Sequence, residues 1–200
     1  MALCVFASVL GLLAVLSPEY TWASIRSLGN RSSWQTVWAL LDGNLGTGAY
    51  HANRLDPAAA VAPQGEPAVV PSWLTLLLFG GLGLWVWIKT PSAGGERRVI
   101  RFTALVLVLF FLWSRGWSPQ WLGMLAPLLL LVLPLDRAAL YLVVLTFVNI
   151  AEWPVLLSRG LNQWLYLTVP VRTALLVLLA IELAQGVTRP AVGEATGASG

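Results

Sequence analysis

The chain has 200 residues, of which 58% are hydrophobic and only 10% charged, and its mean hydropathy is +0.75. These values exclude an ordinary soluble globular domain, so we expect an integral membrane protein. The net charge of +3 is too small to indicate a nucleic-acid partner. The single cysteine, Cys4, excludes a disulfide or a thiolate metal site within one chain.

The first apolar run covers residues 2–16 and is shorter than the roughly 20 residues that cross a bilayer. No Lys or Arg precedes Arg26, and no convincing cleavage site lies near Glu19, so a signal peptide is not favoured. We therefore predict a membrane helix that is cut short at its start.

Residues 17–71 are mixed and polar, with prolines spaced through the second half, and predict a long loop outside the membrane. Within the loop, residues 32–41 (SSWQTVWALL) have serines in front and one apolar helical face. That face consists of Trp34, Val37, Trp38 and Leu41. We expect this helix to lie flat on the membrane interface.

Five further apolar runs follow and bring the predicted number of spans to about six. They cover residues 72–88, 99–113, 120–133, 138–157 and 161–184. The predicted fold is therefore an all-α, polytopic transmembrane helical bundle with one long outer loop. Residues 1–186 form a single transmembrane domain in this interpretation, and residues 187–200 form a disordered tail.

Basic residues occur in three of the segments that flank these runs. They are Lys89, Arg97, Arg98 and Arg101 in the first segment, Arg137 in the second and Arg189 in the third. The positive-inside rule places these segments, and with them both termini, in the cytoplasm. The long loop and the Arg115 and Arg159 turns then share the opposite face of what we expect to be a bacterial plasma membrane.

A short polar break at residues 114–121 (SRGWSPQW) separates two of the runs and is the strongest candidate for a site. Gly116 and Pro119 stop a helix, and Arg115 offers a permanent cation with five donors. The candidate ligand-binding side chains are Arg115, Trp117, Ser118 and Gln120. This combination suits an anionic lipid head group at the water boundary, and the alternative is a tight turn with interfacial anchors.

Two charged residues lie inside predicted spans, Glu152 and Arg172. An isolated charge at such depth costs about 2.5–3.5 kcal/mol on insertion scales, so each should face protein or a wet cavity. One interpretation is a structural ion pair between two helices. The other is that Arg172 faces the same cavity as Arg115 and contributes to substrate binding there with Glu152.

No residue is assigned a catalytic or metal-binding role, and no motif requires a cofactor. The only histidine is His51, so neither a histidine metal cluster nor a catalytic triad can be assembled. Asp42 and Asp56 are candidate general bases on the outer face, and the alternative for both is a solvated loop carboxylate.

Two stretches carry a resemblance to a known family. Residues 113–121, followed by Pro127, resemble the Ser-Pro-Gln-aromatic motif in the later membrane half of polyprenyl-phosphate-sugar-dependent glycosyltransferases of the GT-C fold, which include mannosyltransferases. Residues 32–43 resemble an outer-loop segment of bacterial members of that group.

The resemblance implies a sugar donor on a polyprenyl phosphate, a lipid or glycan acceptor and chemistry on the non-cytoplasmic face. Family members carry their catalytic acidic residue in a large first outer loop and have eight or more spans. The chain lacks a paired acidic motif, so the resemblance implies the C-terminal half of such an enzyme, with the catalytic base on other residues.

Two other classes are compatible with the sequence. A non-catalytic polytopic subunit or lipid-binding assembly protein would use its Arg-Gly turns only as anchors. A transporter is less favoured because the chain shows no repeat symmetry. The sequence leaves the oligomeric state undetermined.

Overall fold

The computed structural model describes residues 2–30, 33–45, 65–90 and 95–188, and within these ranges the chain is all-helical, as predicted. The α-helices are α1 (Ala2–Leu16), α2 (Pro18–Asn30), α3 (Val37–Asp42), α4 (Ser72–Lys89), α5 (Glu96–Trp113), α6 (Trp121–Val132), α7 (Leu135–Ile150) and α8 (Leu165–Thr188). A π-helical turn at Ala151–Leu156 and a 3₁₀ turn at Leu157–Arg159 continue α7, and a second 3₁₀ turn at Asn162–Trp164 leads into α8.

Helix α5 is the centre of the bundle and packs against α4, α6 and α8. Helix α8 buries a stripe with a spacing of three or four residues, which is one helical face. The stripe consists of Leu165, Val169, Arg172, Leu176, Leu179, Leu183 and Val187. From Leu176 to Val187, the residues of this stripe form one contiguous core with the buried residues of α5. Arg172 is the one charged residue in an otherwise apolar stripe, which makes it a candidate for function.

Within the ranges that the structure describes, three helical stretches are long and apolar enough to cross a membrane, namely Ser72–Lys89, Leu135–Arg159 and Asn162–Thr188. Helix α6 is apolar but has only 12 residues, which correspond to about 18 Å against a hydrocarbon core of about 30 Å. Helix α5 has 18 residues, but four charged residues occupy its first two turns. The described part of the chain is therefore all-helical, with three helices long and apolar enough to span a membrane, whereas the number six remains a prediction.

The contacts at the helix ends show that α4 to α8 alternate in direction. Arg101 near the start of α5 donates to the carbonyl oxygens of Val132 in α6 and Gly186 in α8, each at 2.8 Å. At the opposite end of α5, Arg115 donates from Nε to Ser72 Oγ at the start of α4, at 3.0 Å. We call the end of the bundle at which α5 begins the basic end. It carries Lys89, Arg97, Arg98, Arg101 and Arg137. We call the opposite end, at which α5 ends, the loop end. It carries Asp42, Ser72, Arg115 and Arg159.

The predicted outer loop over residues 17–71 begins with a helix that the sequence analysis did not predict, α2 at Pro18–Asn30. Proline at the first helical position and Glu19 in the first turn are both helix-start signals, since the missing N–H costs nothing there and the acid complements the helix dipole. The polar group at residues 51–56 and most of the proline-rich half lie outside the described residues.

The amphipathic helix predicted for residues 32–41 is shorter than expected and begins at Val37, after an N-cap at Thr36. It buries Ala39 and Asp42, whereas Leu41 of the predicted apolar face is 54% exposed. The prediction failed because the preceding residues pair with another part of the chain and cannot continue the helix.

The predicted boundary between the transmembrane domain and the tail, at residue 186, lies two residues before the end of α8. Helix α8 continues to Thr188, and Val187 is fully buried in the core. The remainder of the predicted tail lies outside the described residues.

Candidate functional site

The loop end is organised by an extended pairing between residue 34 and the polar break. The backbone N–H of Trp34 donates to the Arg115 carbonyl at 2.9 Å, and the N–H of Trp117 donates to the Trp34 carbonyl at 3.2 Å. The indole Nε1 of Trp34 adds a third bond to the Trp117 carbonyl at 3.0 Å. A Cβ at Gly116 would lie 2.1 Å from the Trp34 ring, so only glycine permits this approach. The break therefore holds residues 33–45, which we call the outer segment, against the end of the bundle.

Two further bonds fix the outer segment to the end of α5. Thr36 Oγ1 donates to the Arg115 carbonyl at 3.2 Å, and Trp38 Nε1 donates to the Leu112 carbonyl at 2.8 Å. These carbonyls have no partner in the following turn of helix because α5 ends at Trp113. The outer segment thus completes the backbone hydrogen bonding of the helix end.

The Arg115 side chain, predicted to bind a ligand, is engaged by the protein itself. It pairs with Asp42 Oδ2 at 2.9 Å, and it also donates to Ser72 Oγ and to the Val70 carbonyl. Three of the five guanidinium N–H groups are used in this way, and the side chain is 17% exposed. The other two N–H groups have no partner among the described residues and are available to a ligand that reaches the loop end.

Asp42 is a buried structural residue, so the alternative of a solvated loop carboxylate is wrong for it. Its side chain is 2% exposed, and it accepts hydrogen bonds from Ser33 Oγ at 2.6 Å and from the Val69 N–H at 2.7 Å. Together with Arg115, these bonds use both carboxylate oxygens. Asp42 joins three separated segments of the chain, whereas Asp56 lies outside the described residues.

A second charged pair lies deeper, where Arg172 of α8 forms an ion pair with Glu152 of the π-helical turn. Their side chains are 2% and 1% exposed, respectively. Arg172 also donates to the carbonyl of Gln35 and lies over the ring of Trp117, with 4.4 Å between Cζ and the ring centroid. The ion pair, which was one of the two interpretations of these charges, is present, and it connects α7, α8, the outer segment and the break.

Gln35 has a left-handed backbone conformation, with φ = 52°, although it is not glycine. The residue is 4% exposed, and the left-handed turn directs its carbonyl toward Arg172. A non-glycine residue in this region costs of order 1–3 kcal/mol and tends to occur at functional sites. No sequence signal indicated Gln35.

The π-helical turn follows from Pro154, which lacks the N–H that an α-helix would use and whose ring collides with the preceding turn. The turn is closed by the N–H of Leu157, which donates to the Glu152 carbonyl five residues earlier. Such bulges frequently occur at functional sites. Glu152 Oε1 is buried and has no partner among the described residues.

Arg115 does not line the cavity beside Arg172, and a binding site shared by the two arginines, which is the alternative that the sequence left open, stays a prediction. A small cavity of about 20 Å³ adjoins Arg172 and Trp117, and it is closed by Thr36, Phe111 and Leu176. This volume accommodates one water molecule. The two arginines are connected through the outer segment instead, since Arg115 binds Thr36 by its carbonyl and Arg172 binds Gln35.

Trp117, a predicted ligand-binding side chain for which the alternative was an interfacial anchor, is buried and only 3% exposed. Its Nε1 donates to Asn149 Oδ1 at 2.7 Å, and the amide of Asn149 reaches the Pro119 carbonyl at 3.4 Å. The other candidate side chains, Ser118 and Gln120, are half-buried and exposed, respectively. Trp117 therefore organises the interior, and only Arg115, Ser118 and Gln120 border the surface.

The described residues contain no group of three His, Cys, Asp or Glu side chains that could hold a metal ion. No protein-family model, no curated protein and no protein of known structure matches the chain.

Proposed function

We propose that the chain is the membrane portion of a glycosyltransferase that moves a sugar from a polyprenyl-phosphate donor to a lipid or glycan acceptor. It would correspond to the C-terminal half of the GT-C enzymes that it resembles. One observation supports this proposal. The two stretches that carry the resemblance, residues 32–43 and 113–121, lie far apart in sequence and form a single interface at the loop end.

In this proposal the bundle has about six spans and both termini in the cytoplasm of a bacterial cell. The loop end then faces the non-cytoplasmic side, where lipid-linked donors are used. Arg115 binds the donor phosphate with its two remaining N–H groups and stabilises the negative charge that develops as the phosphate leaves. Ser118 and Gln120 border the same surface and add neutral hydrogen bonds.

The proposal is tested by binding of a polyprenyl phosphate to the purified chain in nanodiscs, since the resemblance leaves the catalytic base on other residues. We expect Arg115→Lys to weaken binding because an ammonium cannot present two parallel donors, and Arg115→Gln to weaken it further. Arg159→Lys is the matched control, since Arg159 is exposed at the same end and precedes a glycine as Arg115 does. Equal affinities of the parent and Arg115→Lys would contradict the proposal.

A second variant separates phosphate binding from structural loss. Asp42→Asn removes the internal partner of Arg115 but retains a hydrogen-bonding side chain of the same size. If Arg115 binds phosphate, this variant should bind the donor at least as tightly as the parent, because the guanidinium is released from a competing anion. If Arg115 only anchors the outer segment, Asp42→Asn and Arg115→Lys should lower binding together with stability.

The alternative function is a non-catalytic polytopic subunit or lipid-binding assembly protein. One observation favours it, namely that Asp42 and Arg115 neutralise each other inside the protein. This function predicts that Arg115→Lys binds polyprenyl phosphate no differently from Arg159→Lys, even where expression falls. Turnover of a polyprenyl-phosphate sugar by the purified 200-residue chain would contradict both the alternative and the fragment interpretation.

A further inference from the structure

An apolar groove of about 390 Å³ runs along the lipid-facing side of the bundle, between α4, α5 and α8. Its walls include Phe79, Val86, Leu105, Leu112, Ala180 and Ala184. Only two polar residues border it, Gln185 and Thr188, and both belong to the last turns of α8 at the basic end. The groove is therefore apolar along its length and polar at one end.

The length of the groove matches one leaflet of a bilayer. From Val177 to Thr188 it follows α8 for about 16 Å, which is half of a hydrocarbon core of about 30 Å. A single acyl chain of a lipid in that leaflet fits this length.

Cationic side chains lie on α4 and α5 just beyond the groove residues, toward the basic end. Lys89 lies one helical turn beyond Trp85 and Val86 of α4. Arg98 lies two turns before Leu105 of α5, whereas the guanidinium of Arg101, one turn before Leu105, is bound to the carbonyls of Val132 and Gly186. Basic pockets between transmembrane helices bind anionic lipid head groups, and each Lys or Arg near the membrane surface contributes about 1 kcal/mol.

We propose that this groove binds an anionic phospholipid, with one acyl chain between α4 and α8 and the head group beside Lys89. The site is independent of the proposed donor site, because the groove opens toward the basic end and Arg115 lies at the loop end. The bound lipid would fill the space between α4 and α8, which otherwise meet mainly through α5.

The test measures retention of phosphatidylglycerol and phosphatidylcholine, supplied at equal concentration, by native mass spectrometry of the full chain. We expect the parent to retain phosphatidylglycerol preferentially. Lys89→Gln should lower that preference about fivefold, which is the equivalent of about 1 kcal/mol, and Lys89→Arg should preserve it. Equal retention of the two lipids by the parent would overturn the proposal.

A second pair of variants tests the groove itself. Ala184→Phe places a ring in the groove and should abolish retention, whereas Ala139→Phe, on an exposed face of α7 toward the same end, should not. If Ala184→Phe does not fold, the Lys89 pair decides alone. Displacement of the phospholipid by polyprenyl phosphate, or a dimer that Ala184→Phe dissociates, would assign the groove to the donor chain or to a second copy and overturn the proposal.

Discussion

Removing either member of the buried ion pair should destabilise the bundle strongly and unequally. Glu152→Gln keeps the shape of the side chain and leaves Arg172 with its bond to Gln35 and its contact with Trp117. Arg172→Gln loses all three interactions. Because Arg172 connects three elements and Glu152 has one oxygen without a partner in the described chain, we expect the arginine variant to be the less stable.

The magnitudes follow from the near-complete burial of both side chains. Leaving one buried charge alone costs about 3–5 kcal/mol, so we expect about 3 kcal/mol for Glu152→Gln and about 5 kcal/mol for Arg172→Gln. The double variant should be about 1–3 kcal/mol more stable than the sum of the two losses predicts, because no uncompensated charge remains.

The free energies of unfolding can be measured by titrating the folded chain in mixed micelles with sodium dodecyl sulfate and following its far-ultraviolet circular dichroism. Arg137→Gln is the matched control, since Arg137 pairs with Glu182 at 2.8 Å but its side chain is 61% exposed. We expect no measurable loss for this control, because exposed ion pairs contribute little. Strict additivity of Glu152→Gln and Arg172→Gln would refute the reasoning, and so would equal losses for the buried and exposed arginines.

Gly116→Ala should displace Trp34, whose ring would lie 2.1 Å from the new Cβ, and should speed proteolysis of the outer segment. Gly123→Ala, where a Cβ meets nothing within 4 Å, should leave digestion unchanged, and identical digestion of the two variants would contradict the docking role of the break. In a cysteine-free background, Ser158→Cys should react with an impermeant reagent outside the cell, and Asp136→Cys should react only after the cytoplasmic side is opened. The reverse labelling pattern would refute the predicted orientation.

Hydropathy alone determined the class of protein and much of the bundle. Runs of apolar residues can satisfy their backbone hydrogen bonds inside a membrane only as helices or closed barrels. These runs do not alternate between apolar and polar residues as barrel strands do, so helices are predicted. The bounds of α4 and α5 consequently differ from the predicted spans by at most three residues. The depth of Glu152 and Arg172 likewise predicted that each charge faces protein or a wet cavity, and an ion pair was one of the two interpretations that followed.

Only the tertiary structure decided what the polar groups at the loop end do. Pairing between Trp34 and Gly116 depends on two segments about 80 residues apart, and no local pattern specifies such an encounter. That pairing delayed the start of the predicted amphipathic helix to Val37, placed Asp42 against Arg115 and turned Trp117 inward over Arg172. Local propensity determines which residues form helices, whereas the partner of a buried polar side chain depends on which distant groups the fold brings within hydrogen-bonding distance.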